Sequence, residues 1–148
     1  MNNRYWLAGA VVAAAAVMFT VAGDGPEGGN TPPGSQETAE AGAPIVAVKV
    51  PDGFSSAARL GQNAFNAKCA ACHGANAAGR EGSAPPLVHK IYEPSHHGDE
   101  AFQLAVKNGV RAHHWKFGSM PPVDGLTRGD VKGIVAYIRE LQRENGIN

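Results

Sequence analysis

The stretch CAACHG, residues 69–74, holds both cysteines of the 148-residue chain and places a histidine, His73, directly behind them. Cys69 and Cys72 stand three positions apart, so on one helical turn they can serve a single chemical group. With no cysteine elsewhere, neither can belong to a disulfide framework reaching across the chain. Three chemistries use two thiols and an imidazole in this way: a redox dithiol, part of a metal site, or an anchor for haem. The rest of the sequence discriminates among them.

Towards the amino terminus, residues 5–23 (YWLAGAVVAAAAVMFTVAG) carry no charge and follow a lone Arg4. That length approaches the roughly 20 apolar residues needed to cross a bilayer. A signal peptide, whose apolar core is about 7 to 15 residues, is the alternative, with Thr20-Val21-Ala22 as its cleavage region. The length, Tyr5 and Trp6 at the interface position, and the spacer that follows favour a retained membrane anchor over residues 1–23. On either reading Arg4 stays inside and the remainder is exported.

Residues 24–53 form an acidic linker rich in Gly and Pro, expected to behave as a flexible coil with an r.m.s. reach of about 30 Å. Its hexapeptide IVAVKV (residues 45–50) alternates like a strand and could lie as a strap on the domain. Lys and Arg balance Asp and Glu at 13 each, which gives no sign of nucleic-acid binding. The four acids between residues 24 and 44 have no basic neighbours, so the residues after that segment hold 12 basic against 9 acidic residues, an excess of three positive charges.

Residues 54–148 read as one domain of three helices. Ser55 or Ser56 caps the first, in which Leu60, Gly61, Ala64 and Phe65 share a face and which runs up to Cys69. A second is expected over residues 99–107, with acids in its first turn, Phe102 and Val106 on one side and Gly109 beyond its end. Thr127 caps the third, with Asp130 completing an imperfect capping box. Val131, Ile134, Val135, Ile138 and Leu141 then recur at helical spacing until Asn145-Gly146. The pattern indicates no sheet.

This organisation bears on CAACHG. A thioredoxin-like dithiol wants a strand before it and a parallel sheet around it, and a zinc site wants a fourth ligand from a second Cys pair or a spaced His pair. Haem attachment needs only an exported C-x-x-C-H, with two thioethers to one haem and His73 over its iron. A haem also supplies core to a domain with many glycines and few large apolar side chains.

Over residues 54–144 the chain resembles the class I c-type cytochromes. The resemblance rests on CAACH, on GQNAF with Gly61 and Phe65, on APPL and on FGSMPPV. It implies an all-α fold in which three to four helices wrap around one covalently attached haem c. Gly61 would let the first helix cross closely against the last, beside an aromatic position that Tyr137 matches. The Pro85 carbonyl would accept a hydrogen bond from His73, Leu87 would pack on the haem, and Met120 would be the sixth ligand of the iron. Ala84 stands where the family usually has Gly. An electron carrier is implied, with no catalytic residue of its own.

The residues also bear on the sixth ligand without the family. Met1 and Met18 lie in the leader, so Met120, ahead of Pro121-Pro122, is the one thioether in the exported part. Its competitors are His89, His96, His97, His113 and His114, of which the adjacent pairs read as solvent-facing. Trp115 either donates its indole N–H to a haem propionate or covers the haem edge. Phe117, Ile91, Phe102, Val106 and Val123 are candidate pocket residues. Lys68, Arg80, Arg111 and Lys116 either form a basic rim or are ordinary surface. The expected function is single-electron relay between redox proteins by a domain anchored on the periplasmic face of a bacterial cytoplasmic membrane, or soluble in the periplasm if the leader is removed. A haem subunit of a larger oxidoreductase, and an open-site haem enzyme or gas sensor, are the alternatives.

Overall fold

A computed structural model describes residues 41–148; the expected anchor and the first part of the linker lie outside the described residues. Four helices follow one another as α1 (Ser56–Lys68), α2 (Ala70–His73), α3 (Asp99–Asn108) and α4 (Arg128–Glu144), with 3-10 turns at Ala75–Ala77 and Lys90–Tyr92. Among the described residues there is no strand, only two isolated antiparallel bridges, Arg80 with Ala84 and Val110 with Met120.

α4 forms where its sequence has every local signal. The Thr127 hydroxyl accepts from Asp130 N–H, and the Asp130 carboxylate accepts from Thr127 N–H at 2.8 Å, which closes a reciprocal capping box. Its five expected apolar positions are all buried, joined by Tyr137. Ser55 caps α1 by accepting from Ala58 N–H at 3.2 Å. The buried face of α1 is Ala58, Gly61 and Phe65. Leu60, grouped with that face from sequence, is 71% exposed. One residue step turns about 100° around a helix, which carries Leu60 off the side of the stripe away from Ala58 and Phe65.

α1 crosses α4 at glycines on both sides. A Cβ on Gly61 would stand 1.8 Å from the Gly133 carbonyl oxygen, so nothing larger than hydrogen fits there. Next to the crossing, Tyr137 packs against Phe65 and Phe54 with ring centroids 5.5 and 5.1 Å away, and its hydroxyl donates to Asn76 Oδ1 at 3.2 Å. The aromatic group thereby joins both helices to the turn that follows His73.

The end of the expected linker is not a free coil. Gly42 N–H donates to Glu81 O and Glu81 N–H donates back to Ala43 O, while Ile45 and Val46 both donate to Ala78 O. Lys49 exchanges two hydrogen bonds with the Asn145 side chain, at 2.9 and 2.8 Å, and Val48 packs on the core. Backbone polar groups that find partners and apolar side chains that find a surface explain why residues 42–50 lie as a strap although the upstream composition is that of a coil.

Gly61→Ala should destabilise the haem-loaded protein by about 3 kcal/mol, since the added methyl must push two backbones apart. Leu60→Ala should cost under about 0.5 kcal/mol. Guanidinium unfolding of both variants checks the pair, and equal losses would contradict the crossing.

Candidate functional site

The CAACHG turn grows out of the end of α1. Cys69 N–H donates to Phe65 O at 2.8 Å, and Cys72 and His73 both donate to Cys69 O, so α2 is one further turn that presents two thiols and an imidazole together. Cys69, Cys72, His73, Pro85, Leu87, Trp115 and Met120 all line one cavity of about 600 Å³. That volume lies within the usual range for a cofactor site, roughly 300 to 1,000 Å³.

His73 is fixed by the loop that follows it. Its Nδ1 lies 2.9 Å from Pro85 O; a carbonyl can only accept, so Nδ1 carries the proton and Nε2 keeps its lone pair. Burial pushes the His73 pKa below the ordinary value, partly offset by that hydrogen bond, and this favours the neutral ring a metal requires. The loop itself is tied down where Ala77 O accepts from Leu87 and Val88 N–H. Ala84, the departure from glycine, is buried and bridges to Arg80.

Met120 is held on another wall. Val110 and Met120 exchange two backbone hydrogen bonds of 2.9 Å, and Val123 N–H donates to Val106 O, which ties the loop to the end of α3. Gly109 turns the chain there with φ of +74°, and a Cβ on it would stand 2.5 Å from Met120 O. Phe102, Val106, Phe117 and Val123 line the cavity as expected, whereas Ile91 does not and instead offers its carbonyl to His97.

Two observations test the chemistry of the donor set. Burial, with the neighbouring Cys72 charge second, pushes the Cys69 thiol up to about 11, the reverse of the activated thiolate of a redox dithiol. The Trp115 Nε1–H is buried without an acceptor, and a buried unpaired donor in a cavity wall calls for an acceptor on whatever fills it. A haem, with vinyl groups for two thiols and propionates for an indole N–H, fits both. Lys68, Arg80, Arg111 and Lys116 are exposed, and Arg80 donates to Ala71 O inside the motif.

The polar framework around the site was missed by sequence reasoning. Arg139, 7% exposed, donates to Asp99 Oδ1, Tyr92 O, Gln142 Oε1 and His97 O, while fully buried Gln142 donates to Leu87 O and Tyr92 O. These two residues fasten residues 87–99 to α4. Their helical register was the available signal, because Arg139 and Gln142 lie four positions beyond Val135 and Ile138 on the apolar stripe. Arg139→Met should lower stability by about 3 kcal/mol in denaturant unfolding, since Gln142 Oε1 and His97 O lose their donor and Tyr92 O keeps only Gln142. A loss below about 1 kcal/mol would contradict this.

The family model for cytochrome c matches residues 58–142, more than half of the chain and a span that holds all seven cavity residues named above. No curated protein and no solved structure gives a significant match. The cysteine turn, the buried imidazole and the all-α frame around one cavity are thus parts of a single pattern. The chain belongs to the cytochrome c family, as a class I c-type cytochrome whose Cys69 and Cys72 bind one haem c covalently for electron transfer.

Proposed function

We propose that this protein carries single electrons between redox partners outside the cytoplasm, with His73 and Met120 as the two axial ligands of its haem iron. The observation that supports this most directly is that an imidazole with a free Nε2 and the one thioether of the described residues line the same cavity from separately braced walls. When bound, haem supplies a one-electron iron couple, and a thioether opposite an imidazole raises its reduction potential.

The chain's own residues do the rest. Pro85 O orients the His73 ring and raises its basicity as a ligand. The Val110 bridge and the two prolines after Met120 limit how far its thioether can move. Leu87, Phe102, Ile134 and Ile138 exclude water from the cavity, and Trp115 Nε1–H is the donor for a propionate. If His73 and Met120 both hold the iron, no position would remain for a substrate, which favours a carrier over an open-site enzyme or gas sensor.

The excess of positive charge after the linker fits a partner with an acidic patch, reached by association that weakens as salt rises. Among the described residues no helix is long and apolar enough to cross a membrane; attachment to the periplasmic face of a bacterial cytoplasmic membrane rests on the apolar run over residues 5–23, outside them.

Met120→His should keep the covalent haem and lower the midpoint potential by more than ~100 mV, a fraction of the about 0.8 V range that axial ligands command. The near-infrared sulfur-to-ferric-iron band should vanish with it. An unchanged potential would remove Met120 from the ligand set, and rapid CO binding by the reduced wild-type protein would favour an open site.

A further inference from the structure

Four of the six histidines meet at one place that the electron-transfer reading does not use. His96 and His97 end the loop before α3, and His113 and His114 lie in the loop closed by the Val110–Met120 bridge. Their rings pack together, with centroids 4.8 Å apart for His96 and His97, 5.3 Å for His97 and His114, 5.4 Å for His96 and His114, and 4.1 Å for His113 and His114. One ring nitrogen each from His96, His97 and His114 lies within 4.8 Å of the others. We propose that these three imidazoles bind a divalent first-row transition ion, zinc or copper(II), beside the haem cavity.

The geometry is close to what such an ion needs. Two nitrogens on one tetrahedral zinc stand roughly 3.3 Å apart for Zn–N distances of about 2.0 to 2.1 Å. The exposed rings of His96 and His114 can swing inward by the difference, while the half-buried His97 provides the fixed point. His97 Nδ1–H donates to Ile91 O at 2.7 Å, which leaves Nε2 as the metal-binding atom and supplies the carbonyl support that ligating histidines characteristically have. His113 is oriented in the same way by Arg111 O at 2.8 Å and stands next to the set.

Both loops are held before any ion arrives. Arg139 donates to the His97 carbonyl from a buried position, and the reciprocal Val110–Met120 hydrogen bonds close the other loop at its base. Among the described residues no carboxylate pairs with any of the four histidines. Imidazole without carboxylate selects zinc, copper or nickel over calcium and magnesium. His97, His113 and His114 also line the haem cavity, which places the ion at its rim and outside the His73–Met120 axis.

The test is calorimetric titration of the haem-loaded protein at neutral pH with zinc chloride alone and then copper(II) chloride alone. One ion per chain should bind, copper more tightly than zinc. His96→Asn and His114→Asn should each weaken binding by roughly tenfold or more, and together abolish it, while His89→Asn leaves it unchanged. Both cluster variants should keep the wild-type haem absorption spectrum. Absent binding, or binding indifferent to His96 and His114, would overturn the site. So would a haem spectrum altered by His114→Asn, which would assign that ring to the iron; failure of Met120 as a ligand is read separately, from the potential of Met120→His.

Discussion

Covalent attachment at Cys69 and Cys72 is the constraint from which the remaining geometry follows. It fixes one haem edge to the turn at the end of α1, and α1 is itself fixed to α4 by a crossing too close for any side chain at Gly61. With that edge set, His73, held by Pro85 O, would be the residue to hold the iron, and the other walls need only close. The arrangement also explains the condition of α3. None of its residues is fully buried, and Ala101, Phe102, Ala105 and Val106 turn towards the cavity. Haem in that cavity would cover their apolar surface, at about 25 cal/mol for each Å² removed from water, and so would complete the core as well as supply the chemistry.

The polar groups divide the work differently. The Pro85 carbonyl, the Val110–Met120 bridge and the Trp115 indole act at the cavity wall. Arg139 and Gln142 act behind it, and hold residues 87–99 by their carbonyls where no regular element could do so. A buried guanidinium is costly unless fully hydrogen-bonded, and this one has four acceptors and an aromatic face, Phe102, at 5.1 Å. The same clamp sets the position of His97, so haem enclosure and the histidine cluster share one support.

Features governed by local chemistry were legible in the sequence. Caps at Ser55 and Thr127, the apolar repeat of α4, the end of α3 at Gly109 and the cysteine turn each follow from residues a few positions apart. Features decided by contacts between distant segments were not. Leu60 looked apolar enough to be buried, but the crossing at Gly61 fixed which side of α1 faces inward. The alternation of residues 45–50 hinted at a strap, but where residues 42–50 attach was not legible because their partners, Ala78, Glu81 and Asn145, lie far along the chain. Arg139 does not stand out in the sequence because its four acceptors are carbonyl, carboxamide and carboxylate oxygens that folding alone brings together. The adjacent histidine pairs read as solvent-facing, and His96, His113 and His114 are exposed; that the two loops bring the pairs together depends on the fold.

The claim that haem completes the core is tested most directly by comparing the haem-loaded protein with the Cys69→Ala/Cys72→Ala chain, purified without haem, in guanidinium unfolding followed by amide exchange. The account predicts that the haem-free chain loses its cooperative transition and that the amides of α3 exchange without protection. A haem-free chain that unfolds cooperatively at the wild-type midpoint, with α3 protected, would contradict it.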